Sequence, residues 1–120
     1  MIRALAAAAL LPLAAAASDP LAGRVAGAPR QCIDVSATTG PEIVDSRTIL
    51  YRRNASTLYR TTVEGCPSLR PMATLIVEMY GSQLCRNDRF RVLEPGVAIP
   101  SAPCRFGDFV PYTKIKERTD

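Results

Sequence analysis

The sequence predicts an all-β domain, a small antiparallel meander curled into a partly open barrel or sandwich and stapled by disulfides. Three observations carry that expectation. From Gln31 onward, short runs of β-branched and aromatic residues alternate with turn residues, and no stretch shows a helical period. Four cysteines, Cys32, Cys66, Cys85 and Cys104, fall within a mature region of about one hundred residues. A chain of that size buries only a modest core, so cross-links add a large share of its stability.

The elements follow in order. Cys32 to Val35 reads as a first strand, with Ile33 and Val35 on one face, and Thr38-Thr39-Gly40-Pro41 as a break. Glu42-Ile43-Val44 leads into a turn at Asp45-Ser46-Arg47. Thr48–Arg53 and Thr57–Val63 form a hairpin around Asn54-Ala55-Ser56. Period-two alternation puts Ile49, Tyr51 and Tyr59 on one face and Leu50, Leu58 and the arginines on the other. Glu64–Pro71 is loop. Thr74–Tyr80, the most apolar segment, is expected as a central strand with Leu75, Val77 and Met79 inward. Gln83–Cys85 is a short strand. Arg89–Leu93 is a further one, with Phe90 and Val92 inward and Arg89 and Arg91 outward. Prolines at 100, 103 and 111 argue against a long regular element at the end. Phe106, Phe109 and Tyr112 are expected to pack an extended tail over an open end of the sheet.

The N-terminus reads as a cleavable export signal. Arg3 supplies the charge, Ala4–Leu13 the apolar run, and Ala14–Ser18 the small residues of a cleavage site, placed after Ala17 or Ser18. The run is short for a membrane span, which needs roughly 20 residues, and no cysteine follows it for lipid attachment. The expected organisation is a signal over 1–18, a Gly/Ala/Pro-rich flexible leader over 19–30, a β-rich domain over 31–113 and a charged tail over 114–120. The expected location is periplasmic or secreted, with no membrane span after cleavage. In an oxidising compartment four cysteines read as two disulfides, and spacing leaves three pairings open.

The chain has no histidine, which removes the commonest general base and metal ligand. A Ser-His-Asp or Cys-His site is excluded in its usual form, and a Ser-Lys variant would depend on Lys114 or Lys116 in the tail. No two cysteines stand at C-x-x-C spacing, against zinc. Neither Gly-rich phosphate motif occurs. No catalytic, metal or cofactor residue is therefore assigned. A glycosidase-like carboxylate pair would draw on Asp45, Glu78, Asp88 and Asp108, three of them in turn clusters, and would require two of these to converge in a cleft.

Without Arg3, fourteen basic residues face eleven acidic ones, an ordinary surplus for solubility. Twelve of the fourteen are arginine, several beside tyrosines. Arg52, Arg53, Arg60, Arg89 and Arg91 form a candidate anion-binding set. An exported protein is not expected to meet nucleic acid. The expected function is a non-enzymatic binding module whose partner is an envelope protein or an anionic envelope component, the alternative being a small periplasmic hydrolase or enzyme inhibitor.

Several pieces, taken in order, resemble a bacterial family of small exported domains of unknown function. They are Cys32-Ile33, Val44-Asp45 with Arg47-Thr48-Ile49-Leu50-Tyr51, Leu58-Tyr59-Arg60, Cys66-Pro67-Ser68-Leu69, Gly81-Ser82-Gln83-Leu84-Cys85 with Asp88, and Cys104 with Gly107 and Phe109. The similarity covers roughly residues 31 to 112. Gly40-Pro41 and Asn54-Ala55-Ser56 depart from the simpler turns of that family. The resemblance implies export, a compact β-rich fold and the pairing Cys32–Cys85 with Cys66–Cys104, and it carries over no catalytic residue.

Overall fold

The computed structural model describes residues 19–115. The export signal read over 1–18 and the end of the charged tail, 116–120, lie outside the described residues. Among the described residues ten strands form three antiparallel sheets, and the only helical element is one 3-10 turn, Val35–Ala37. The strands are β1 (Arg24–Ala26), β2 (Cys32–Asp34), β3 (Thr39–Asp45), β4 (Thr48–Arg52), β5 (Thr57–Thr62), β6 (Thr74–Val77), β7 (Gln83–Cys85), β8 (Arg89–Leu93), β9 (Cys104–Arg105) and β10 (Phe109–Lys114). A five-stranded sheet runs β1-β10-β5-β4-β3, a pair joins β2 to β7, and a three-stranded sheet runs β6-β8-β9. The fold is all-β, antiparallel and not closed into a barrel.

The β4–β5 hairpin forms where alternation places it. Asn54 shapes its tip: the side-chain Oδ1 accepts the amide N–H groups of Ser56 and Thr57 at 3.0 and 2.9 Å. Tyr51 pairs with Tyr59 across it and Ile49 with Thr61. β3, β4 and β5 run as a meander, and β1 and β10 complete the sheet. β1 arises inside the Gly/Ala/Pro-rich segment that the sequence reads as a flexible leader. It is held by a partner 90 residues further along, Arg24 opposite Lys114.

β10 is likewise a paired interior strand where an extended tail is expected, and it takes in Lys114 from the charged tail. Pro111 is tolerated there for a local reason. Its carbonyl accepts the Gly27 N–H at 2.7 Å, so its nitrogen faces the same side, just where β1 has ended. The missing donor falls at a break in the ladder. β3 similarly crosses the expected break at Gly40-Pro41: two residues there oppose the single Tyr51 of β4, a bulge. β6 is an edge strand of its sheet rather than a central one. Leu75, Val77 and Met79 do face the core.

One core lies among the three sheets. It gathers Ile43, Ile49, Tyr51, Tyr59 and Phe109 from the large sheet, Ile33 and Leu84 from the pair, and Phe90, Val92 and Cys104 from the small sheet. Leu50 and Leu58 lie on the other face of the large sheet and are also buried, so its centre is covered on both sides. Thr61, the one buried polar residue among those described, donates its hydroxyl to the Gly107 carbonyl at 3.1 Å. The two segments touch so closely that a methyl at Gly107 would overlap the Thr62 carbonyl oxygen. Cys32 is bonded to Cys85 across the β2–β7 pair, and Cys66 to Cys104 between the loop after β5 and the small sheet.

Burial holds the Tyr51 phenol neutral far above its ordinary pKa of 10.0. The phenol of the unfolded chain ionises first, so this group leaves stability intact below pH 10 and costs stability as pH rises beyond it. Stability is expected to fall by about 1.4 kcal/mol per pH unit above pH 10 through Tyr51 alone. Denaturant titrations of Tyr51→Phe should show a shallower alkaline slope by that amount. Equal slopes in the two proteins would refute the assignment.

Candidate anion-binding pocket

The five sequence-selected arginines do not form one patch. Arg52 and Arg60 lie on the outer face of the large sheet, opposite Leu58 and Leu50 respectively. The Arg60 guanidinium stacks over the Tyr112 ring, 5.0 Å from its centroid. Arg89 and Arg91 lie on the outer face of the small sheet, alternating with buried Phe90 and Val92. Arg53 separates from Arg52 because consecutive strand residues point to opposite faces. It continues the inner row of Ile49 and Tyr51 past the end of β4, where the core gives way to solvent.

A sixth arginine meets it there. Arg30 precedes β2, and its backbone exchanges hydrogen bonds with Phe109 of β10, N–H to carbonyl at 2.7 and 2.9 Å. This anchors the former leader beside β10. Tyr59 bridges the two arginines. Its ring is in the core, while its hydroxyl accepts from Arg30 Nη1 at 3.2 Å and from Arg53 Nη1 at 3.5 Å. A phenol oxygen has two lone pairs and one hydrogen. With both lone pairs engaged, the hydrogen is left to donate into the adjoining space. That space is a concavity of about 370 Å³, lined also by Asp34, Thr38 and Gln83.

The charge pattern is specific. Among the described residues the ion pairs are Arg47–Glu64, Arg70–Glu94 and Arg86–Asp108, and neither Arg30 nor Arg53 has a carboxylate within 4.0 Å. Asp34 also lines the concavity and keeps its negative charge there, outside ion-pair distance of both arginines. Its Oδ1 accepts the Ser36 hydroxyl at 2.6 Å and the Ser36 N–H at 3.0 Å, and these bonds hold its carboxyl below the usual range. Two guanidiniums and one phenolic O–H therefore converge on a space that can take an anionic oxygen group. Sequence reasoning found Arg53 and missed Arg30. The parity of Arg53 with Tyr51 is the signal that separates it from Arg52; no local signal brings Arg30 to β5.

The four candidate carboxylates are placed as follows. Asp45 accepts the Arg47 N–H at 2.8 Å within its own turn, and Asp108 pairs with Arg86 at 3.4 Å. Glu78 and Asp88 line one open depression together with Tyr80, Asn87 and Arg89. Asp88 Oδ2 accepts the Cys85 N–H at 2.7 Å. Among the described residues no three His, Cys, Asp or Glu side chains are grouped to hold a metal ion, and no helix is long and apolar enough to cross a membrane. Comparison of the chain with protein-family models, with curated proteins and with solved structures finds no match.

Proposed function

We propose that this chain is an exported, non-enzymatic binding module of the bacterial envelope, periplasmic or secreted, whose pocket at Tyr59 captures an anionic oxygen group of its partner. The observation that carries the proposal is the convergence of Arg30 and Arg53 on one phenolic oxygen at the rim of a concavity, without a neutralising carboxylate within 4.0 Å among the described residues. The export reading is supported by the N-terminal pattern, by two disulfides in so short a chain, and by the resemblance to small exported domains. Hydrogen bonds to charged groups contribute about 1.5–3 kcal/mol each, so one lost donor weakens binding about tenfold or more.

Equilibrium dialysis of the exported protein against labelled inorganic phosphate at low salt tests the reading. Tyr59→Phe and Arg53→Gln are each expected to weaken binding about tenfold. Arg52→Gln, one residue away on the opposite face, should bind as the parent does. Phosphate bound equally by Tyr59→Phe and the parent would overturn the proposal. The competing hydrolase reading rests on Glu78 and Asp88 sharing a depression. It requires a hydrolytic activity of the exported protein that Glu78→Gln and Asp88→Asn abolish.

A further inference from the structure

The outer face of the small sheet has an unusual arrangement of charge. Phe90 and Val92 point inward from β8, and Cys104 inward from β9, so Arg89, Arg91 and Arg105 all point outward. Arg89 stands directly opposite Arg105 in the ladder, and Arg91 is two residues from Arg89 on the same strand. Like charges directly opposed in a sheet destabilise it. Glu78, whose N–H donates to the Arg89 carbonyl at 3.1 Å, lies just past β6 between Ile76 and Tyr80 and lines one depression with Tyr80, Asp88 and Arg89, yet among the described residues none of the three arginines has a carboxylate within 4.0 Å. Arg91 only donates to the Ser101 carbonyl, at 3.4 Å.

The same face carries apolar side chains that the core does not use. Ile76, opposite Arg91, is 42% exposed, and Tyr80, in phase with it along the chain, is 94% exposed. The loops adjoining this sheet add Met72 and Ile99, 82% and 79% exposed. A three-stranded face that combines arginines outside any ion pair with exposed tyrosine and isoleucine matches the two layers of a membrane surface. Phosphates lie at the level of the guanidiniums, and the amphipathic headgroup zone accepts the tyrosine. A hydrated acidic polysaccharide would satisfy the charges and leave the apolar side chains in water.

We infer that this face docks on an anionic phospholipid bilayer surface, with Arg89, Arg91 and Arg105 on headgroup phosphates and Ile76 and Tyr80 seated among the headgroups. The surface is separate from the Tyr59 pocket and does not depend on it.

Co-sedimentation of the exported protein with phosphatidylcholine vesicles, with and without phosphatidylglycerol, tests the inference. Parent and variants share one N-terminus, verified by intact mass, so differences between them report on this face. Binding is expected only to vesicles containing phosphatidylglycerol, and it should fall as salt is raised. Each Arg→Gln substitution at 89, 91 or 105 should weaken it about fivefold, and the triple variant about a hundredfold. Tyr80→Ser should weaken it severalfold. Arg47→Gln, which removes the same charge from the large sheet, serves as control and should bind like the parent. Equal binding to both vesicle types, or a triple variant that binds like the parent, would overturn the inference. So would capture of a soluble sulfated polysaccharide by these arginines with no vesicle binding.

Discussion

Replacing Cys66 and Cys104 together by alanine is expected to lower stability by about 4 kcal/mol, the loop-entropy value for a bridge between residues 38 apart. Domains of this size have about 5–15 kcal/mol in total. The melting temperature should fall by about 15–30 °C, since each kcal/mol moves a domain of under 100 residues by roughly 4–8 °C. Position explains why so much rests on one bond. Cys66 lies in the loop leaving the large sheet, and Cys104 is on β9 of the small sheet, so the bridge ties together layers that share no strand ladder. Cys32–Cys85 instead reinforces a β2–β7 pair that already has its own ladder, although its loop is longer at 53 residues. Both of its cysteines are half-buried, whereas Cys66 and Cys104 belong to the core. The Cys66/Cys104 variant should therefore lose at least as much as the Cys32/Cys85 variant. Thermal melts of the two double variants decide the point; a loss below about 5 °C for Cys66/Cys104 would contradict the role assigned to the bridge.

Phe106→Ala is expected to cost about 3–5 kcal/mol, the range for deleting a fully buried ring. Phe106 is 1% exposed and sits at the junction of the layers. Its ring is 4.5 Å from Phe90 of the small sheet, 6.0 Å from Phe109 and 6.5 Å from Tyr51 of the large one. Removing it leaves a cavity bounded by two sheets. Phe106→Leu, which keeps most of the apolar volume, should lose less than half as much. Guanidinium midpoints with an unchanged slope would show that the native state alone is affected. A loss under 1.5 kcal/mol for the alanine variant would mean that this ring does not join the layers.

The parts of this fold that sequence made legible are those with local causes. The Thr48–Val63 hairpin announces itself because its alternation, its β-branched residues and its Asn54 turn all agree. Arg89–Leu93 is as plain, each inward residue apolar and each outward one charged until Leu93. The chain ends were illegible for the opposite reason. Nothing in Arg24–Ala26 prefers a strand strongly, and Pro111 argues against one. Both become strands because they meet across a separation that no window of sequence spans. β3 was obscured by Gly40-Pro41, whose turn-like composition here makes a bulge. The pocket shares this cause. Arg53 and Tyr59 are close in sequence, but Arg30 reaches them because the Arg30–Phe109 bridge holds the leader against β10, the strand next to β5. Disulfide connectivity also stayed open from spacing, since three pairings fit the same four positions.

The central claim is that Tyr59, Arg30 and Arg53 act together as one anion-binding site. NMR titration of the exported protein with inorganic phosphate, following backbone amides and arginine Nε–H signals, tests this most directly. Saturable shifts are expected, centred on Arg30, Arg53, Tyr59 and the neighbouring Asp34 and Gln83, all reduced together in Tyr59→Phe. Shifts spread evenly over the arginines of every face, and unchanged in Tyr59→Phe, would contradict it.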